Sequence, residues 1–320
     1  MTRKLKIAML GASGVGKTSL LTAMYKSFAH TISKTNLQFK PTPETFARLE
    51  DRLLELKGLS DDFEALAALQ TTDKEFDFIF DLAKKGKEGE YSLIFTDYPG
   101  SYLGNKEFMK NLLSESDVVL IAIDSPALME RNARWNENTN STKRIINLFE
   151  NFYTNLKSPK LVLFVPLRCE TYLQDNKSAR NLIKSVKEKY CDLLGLFASP
   201  ALSPWVASAI TPVQTVGNVI LKSVSEKDGR PIYHFSKISF DAEYSPKNSE
   251  LPLSCILRFM LKRELDCRNW NWGIYSPIRA SLGLDNHLRE VSIVMTNFNT
   301  KYDEWGYTLL QEGKKLLTIE

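Results

Sequence analysis

Cysteine and histidine are scarce in this chain of 320 residues, and their placement removes whole classes of chemistry. The four cysteines, Cys169, Cys191, Cys255 and Cys267, form no C-x-x-C pair and have no histidine-rich neighbourhood. A disulfide framework and a structural zinc site are therefore not expected, and a reducing cytoplasm fits. His30, His234 and His287 stand in unrelated contexts, which gives a histidine-based site little support. Long apolar runs are missing as well: Val118 to Ile123 is cut off by Asp124, far short of a bilayer span. Met1-Thr2-Arg3-Lys4 leads straight into a strand pattern, so no secretory leader is expected. Charge of one sign is also lacking. A net charge of +4 is too small to argue for nucleic acid or a membrane surface. No internal repeat or low-complexity tract is present. With 43% hydrophobic and 25% charged residues, the chain reads as globular, either one large domain with an appendage or two domains.

Against these absences, one motif stands out. Gly11-Ala12-Ser13-Gly14-Val15-Gly16-Lys17-Thr18 fits G-x-x-x-x-G-K-[ST]. It follows the strand-like Leu5 to Leu10 and precedes the helix-like Ser19 to Tyr25. Strand, glycine-rich loop and helix together are what a phosphate-binding loop requires. Glycines let successive backbone N–H groups turn inward onto a polyphosphate, and the helix N-terminus adds partial positive charge. In this pattern the lysine reaches the β- and γ-phosphates and the hydroxyl that follows ligates Mg²⁺. The expected nucleotide-binding set is thus Ser13, Gly14, Val15, Gly16, Lys17, Thr18 and Ser19.

The remaining pattern alternates strands and helices, which predicts an α/β fold with a largely parallel sheet. Residues 28–42 look irregular and end at Pro41-Thr42-Pro43. Thr42 before Pro43 is a helix-start signal, and the apolar spacing of Phe46, Leu49, Leu53 and Leu56 predicts a helix over 43–57. A second helical patch is expected at 61–69. Phe76 to Phe80 and Tyr91 to Thr96 read as an antiparallel pair joined by a Gly/Lys-rich turn. Buried strands are predicted at 117–123, 160–166 and 206–211, with helices near 141–156 and 176–193. A hairpin over 219–240 turning at Lys227-Asp228-Gly229 and a helix at 252–265 follow. The tail carries Trp270, Trp272 and Trp305, and a helix is expected over 285–300.

Asp97-Tyr98-Pro99-Gly100 closes the antiparallel pair with D-x-x-G. A carboxylate at that strand tip can hold Mg²⁺ through water, and the glycine N–H can approach a γ-phosphate because no Cβ intervenes. Losing that phosphate would release the loop.

The combination resembles the Ras-like (TRAFAC-class) P-loop GTPases over about residues 5–265, with a long insertion at about 28–70 and the added hairpin. The resemblance implies a mostly parallel sheet with an antiparallel edge strand, a GTPase domain over 1–266, and a small helical extension over 267–320. It also implies GTP as substrate, GDP as product and Mg²⁺ as cofactor, with hydrolysis at the β–γ phosphoanhydride. Carried over residue by residue, Lys17, Thr72 and Gly100 are the catalytic set, and Thr18, Thr72 and Asp97 hold the metal. Thr71-Thr72 both stand at the switch-threonine position, Thr72 being preferred.

The base motif departs from the family's [NT]-K-x-D: here the chain reads Leu167-Arg168-Cys169-Glu170. Arg168 can replace the lysine over a purine and Glu170 the aspartate, but Leu167 makes no hydrogen bond to steady the phosphate loop. Thr211-Pro212-Val213-Gln214 replaces the usual S-A-K loop, leaving only backbone contacts to the base. Ser101 stands where many Ras-like enzymes carry the water-orienting glutamine, and Ser13 replaces a loop glycine, so slow turnover stimulated by a partner or by self-association is expected. More loosely, Ile123 to Glu130, Ile210 to Thr215 and Pro246-Lys247-Asn248 resemble GTPase domains of bacterial anti-phage conflict systems, the double-GTPase systems. That likeness implies a regulatory switch with a separately encoded partner. An ATPase, and a scaffold that holds nucleotide without hydrolysing it, remain alternatives.

Overall fold

Strand and helix alternate from the first described residue. The computed structural model describes residues 3–32, 37–59, 64–65, 73–86, 91–271 and 307–317. β1 (Arg3–Leu10) passes through the glycine-rich loop into α1 (Lys17–Ile32), followed by β2 (Leu37–Pro41) and α2 (Pro43–Gly58). Next come the two-residue β3 (Glu64–Ala65), β4 (Phe76–Lys84), β5 (Tyr91–Asp97), α3 (Lys106–Glu115) and β6 (Val118–Asp124). The short α4 (Ser125–Met129) and α5 (Asn136–Asn140) precede α6 (Thr142–Phe152), β7 (Lys160–Leu167), α7 (Asn176–Lys189) and α8 (Cys191–Phe197). β8 (Val206–Ile210), β9 (Val219–Lys227), β10 (Arg230–Lys237), α9 (Glu250–Asn271) and β11 (Thr308–Gln311) complete the described chain.

One eight-stranded sheet runs in the order β11-β8-β7-β6-β1-β5-β4-β2. From β8 to β5 every pairing is parallel, whereas β4, β2 and β11 join antiparallel. Side chains of the parallel strands alternate between two cores, as a period of two demands. Ile7, Met9, Leu120 and Leu163 face a core closed by α1 and α9. Ala8, Leu10, Ile121 and Phe164 face a core closed by α3, α6, α7 and α8. Because both faces are covered, β6 and β7 are buried along their whole length, which is why 118–123 and 161–167 read as unbroken apolar runs.

The predicted helix over 43–57 is present, with Thr42 as its N-cap accepting from Thr45 N and Pro43 in the first turn. Its regular face buries Leu49, Leu53 and Leu56. Residues 28–42, expected to be irregular, contain the end of α1 and the edge strand β2. β2 forms because Phe39 stacks on Phe80 across the strand pair (ring centroids 4.8 Å), with Phe28 edge-on at 5.3 Å and Phe95 against Phe80 at 5.7 Å. Of the patch 61–69 expected to be helical, the described residues Glu64 and Ala65 are instead a strand. They pair with Ser236 and Phe235, so the early insertion and the late hairpin build one three-stranded sheet, β3-β10-β9. The hairpin itself turns at Asp228-Gly229, both with positive φ.

The extension over 267–320 was expected to be helical; its described part beyond α9 contributes a strand. Leu309 pairs with Ala209 and Thr308 with Ile210, so β11 adds an edge strand to the main sheet. Gln311 Nε2 anchors it on the carbonyls of Val206 (2.8 Å) and Phe197 (3.0 Å). The expected helix over 285–300, Trp272 and Trp305 lie outside the described residues.

Phe80 is fully buried at the centre of the aromatic group that attaches β2 and β4 to β5. Phe80→Ala is expected to destabilise the fold by about 3–5 kcal/mol, read as a lower urea midpoint with an unchanged slope. A midpoint equal to wild type would show that the aromatic group contributes nothing to edge-strand attachment.

Candidate nucleotide-binding site

Asp97, Asp124 and Leu167 are the last residues of β5, β6 and β7, and all three emerge beside the loop that leaves β1. In sheets of this kind, ligands bind outside the carboxyl ends of the strands, where the chain leaves toward opposite faces. β1 sits at such a point: α1 packs on one face and α3 on the other.

The loop's shape depends on backbone that only glycine adopts readily. Gly14 and Gly16 have φ of +74° and +106°, and α1 begins immediately afterwards. Lys17 is 5% exposed, and its Nζ donates to the carbonyl oxygens of Gly11 (3.1 Å) and Ala12 (3.4 Å). The same ammonium lies 4.0 Å from Asp97 Oδ1 and 5.3 Å from the centroid of the Tyr98 ring. Burial lowers the lysine pKa, and the Asp97 charge acts against that shift. Thr18 Oγ1 donates to Asp97 Oδ2 at 2.6 Å. Lysine, hydroxyl and carboxylate are thus in contact at the base of the loop. Val15 and Ser19 are buried beneath it, while Ser13 and Gly14 form its exposed tip.

Gly100 lies against this loop. A Cβ on Gly100 would fall 1.9 Å from Ser13 N and 2.6 Å from Ala12 C, so no other residue fits without moving one of the two segments. Tyr98 is fully buried and packs edge-to-face on Phe108 (5.4 Å), which meets Tyr102 at 5.2 Å. Nothing in the D-x-x-G pattern points to Tyr98; a large aromatic at that position was the available signal. Ser101 is exposed, and Asn105 is occupied as the N-cap of α3, accepting from Phe108 N at 3.1 Å. Thr71 and Thr72 lie outside the described residues.

At the other end of the site, Arg168 adopts a left-handed backbone (φ +52°) and stretches along the loop. Nη1 donates to Asp124 Oδ2 at 2.8 Å and Nη2 to the carbonyl of Gly14. The steadying bond that Leu167 cannot make therefore comes from the next residue. Glu170 is buried, and its Oε1 accepts from Val216 N and Gly217 N, both at 3.3 Å. Burial raises its carboxyl pKa, while these N–H groups and the Arg168 charge oppose the shift. Glu170 is therefore not part of an exposed charged loop: it joins the end of β7 to the segment after β8. Tyr233 of β10 stands beside the same region, feeling the charges of Asp124 and Arg168 in opposite senses. Asp124 entered the sequence reading only as the end of an apolar run and within the resemblance over 123–130, and was assigned no role in the site, although Asp-Ser-Pro is itself a helix-cap signal.

The Thr18 hydroxyl and Asp97 carboxylate are hard oxygen donors, the type that Mg²⁺ prefers. Among the described residues, no group of three or more His, Cys, Asp or Glu offers an alternative metal site.

Comparison with family models matches residues 6–193, more than half the chain, to the model described as Double-GTPase 2. The chain belongs to this family. It is a P-loop GTPase of the double-GTPase type, with the strand order and loop geometry described above. No curated protein matches it. Similar solved structures include the GTP-bound GTPase-like domain of Ski7 from S. cerevisiae, at 14% identity and a TM-score of 0.41, over 67% of this chain and 43% of that one. The mammalian SRP receptor matches at 14% identity and 0.36, over 67% and 93%, and translation elongation factor SelB from Methanococcus maripaludis at 10% and 0.31, over 67% and 30%. The match thus spans less than half the length of the Ski7 chain. At these scores the structural likenesses decide nothing; the family match and the site geometry do.

Gly100→Ala is expected to cost roughly 1–3 kcal/mol of stability through overpacking and to weaken nucleotide affinity by displacing the loop tip. Thermal unfolding and calorimetric titration measure the two effects. Wild-type values in both would show that the close approach of Gly100 to Ser13 is not a constraint.

Proposed function

We propose that this double-GTPase family member is a Mg²⁺-dependent switch that binds and hydrolyses GTP and regulates a partner protein, in the setting of bacterial anti-phage defence. The observation that carries the proposal is the contact of Lys17, Thr18 and Asp97 beneath a loop of positive-φ glycines, with Gly100 against that loop. In this reading the backbone N–H groups of residues 13–18 cradle the polyphosphate, and Lys17 neutralises charge on its β and γ groups. Thr18 and Asp97 would hold Mg²⁺, with Thr72 closing over it. Magnesium, when bound, would supply charge neutralisation to the β- and γ-phosphates. Gly100 N–H meets the γ-phosphate, and its loss on hydrolysis releases residues 97–110 and 71–73. Arg168 packs over the purine and Glu170 reads the guanine N–H donors.

Turnover is slow by this account, because no residue within the described part of the switch is placed to orient water. Ser101 is short and exposed, and Asn105 is held by its cap bond. That second fact also favours the scaffold alternative, in which nucleotide is held without hydrolysis. Single-turnover phosphate release separates the two. Among the described residues no helix is long and apolar enough to cross a membrane, and we place the protein in the cytoplasm.

Lys17→Ala is expected to weaken GTP binding by roughly a hundredfold or more, since it removes a buried, hydrogen-bonded cation from the phosphates. Unchanged affinity for labelled GTP would overturn the phosphate assignment. In competition binding GTP should displace labelled GDP far better than ATP does, and Glu170→Ala should narrow that gap by about tenfold or more. Tighter ATP binding by the wild-type chain would make it an ATPase instead.

A further inference from the structure

Asp124 is a completely buried carboxylate whose two oxygens do different things. Oδ1 caps α4 by accepting from Ala127 N at 2.9 Å, and Oδ2 takes Arg168 Nη1 at 2.8 Å. Capping alone does not require a charge: Asn or Ser serves as well, and α4 is only five residues long. Burying an anion is costly unless a cation compensates it, so a carboxylate where a neutral cap would serve points to what its second oxygen holds.

What it holds is a bridge. The Arg168 guanidinium joins Asp124, at the end of β6, to the Gly14 carbonyl at the tip of the phosphate loop. Its backbone is in the left-handed region, which a residue with a Cβ tolerates only when its surroundings over-determine it. Those surroundings are fixed in turn by a buried amide chain. Asn140 brackets the Asp124 backbone, accepting from its N–H at 2.7 Å and donating to its carbonyl at 3.1 Å. Asn140 also donates to Asn136 (2.9 Å), and Asn136 to Thr142 (2.9 Å). Asp124, Asn136, Asn140 and Thr142 are all buried, and every link is within normal hydrogen-bond distance.

We propose that Asp124 is a positioning residue for the nucleotide site. Its charge holds the Arg168 guanidinium on Gly14, so that the loop after β7 and the phosphate loop behave as one unit. The part of this that concerns the base rests on the GTP-binding function proposed above; the latch itself does not. It acts through Arg168, replaces the loop tether that Leu167 cannot provide, and sets both ends of the site at once.

The test is a double-mutant cycle on the full chain with Asp124→Asn, Arg168→Gln and the double variant. Asp124→Asn keeps the cap acceptor and removes the charge. Hydrogen exchange without nucleotide should quicken in both single variants over residues 11–18 and 166–173, while 136–142 stays protected. Affinity for labelled GDP should fall about tenfold in each, and the double variant should be no worse than Arg168→Gln alone. Additive losses, or wild-type exchange over 11–18 in Asp124→Asn, would overturn the latch. If Asp124→Asn does not fold, Arg168→Gln decides alone: faster exchange at 11–18 supports the latch, and unchanged exchange removes it. Should the wild-type chain prefer adenine nucleotides, the guanine reading falls and the exchange data still settle the latch.

Discussion

The structure depends on one buried carboxylate. Asp97 is 1% exposed at the tip of β5, where Lys17 stands 4.0 Å away and Thr18 donates to it at 2.6 Å. Both partners begin α1, so the carboxylate ties the end of one parallel strand to the loop and helix leaving its neighbour. Removing it would strand Lys17 in a pocket that already lowers the lysine pKa through burial. The same contact brings D-x-x-G against the loop. Tyr98 and Gly100 follow within three residues, and the absence of a Cβ on Gly100 lets the two backbones meet.

Local signals in the sequence reached the structure almost intact. The loop, the D-x-x-G tip, the Thr42-Pro43 helix start and the Asp228-Gly229 turn each depend on residues within a few positions of one another. The parallel strands were legible for a different reason: with helices on both faces, β6 and β7 are apolar over 118–123 and 161–167, with charged residues only at Asp124 and Lys160. β2 and β3 escaped because neither carries its own signal. β2 is held by Phe39 stacking on Phe80, and the two residues of β3 by pairing more than 160 positions away in the chain. Edge strands take their identity from a neighbour, and periodicity does not report neighbours.

The candidate site divides along the same line. Gly14, Gly16, Lys17, Thr18, Asp97 and Gly100 were readable from motif spacing, because phosphate chemistry fixes residue type and separation together. The base end was not. Arg168 and Glu170 were named from a damaged motif, but what holds them is non-local: Asp124 lies 44 positions from Arg168, and Val216 and Gly217 lie 46 and 47 from Glu170. Asp124, Asn136 and Asn140 look like ordinary polar loop residues until their burial is seen. A left-handed arginine leaves no trace in sequence at all.

The described groups fall into two physical classes. Those suited to gripping a nucleotide sit at buried strand ends and are cross-linked by ion pairs and backbone hydrogen bonds, which fixes their positions before any ligand arrives. Those suited to sensing hydrolysis, from Ser101 to Lys106, are exposed and attached to the interior chiefly through Leu103 and the Tyr98–Phe108–Tyr102 rings. Preorganised grip costs little on binding, whereas an exposed segment with few buried contacts opens at low free energy. Under the function proposed above, a chain built this way would hold nucleotide firmly and leave water orientation to a partner docking on that segment. This is the division of labour expected when the catalytic group is supplied by a second molecule and not by the D-x-x-G loop itself.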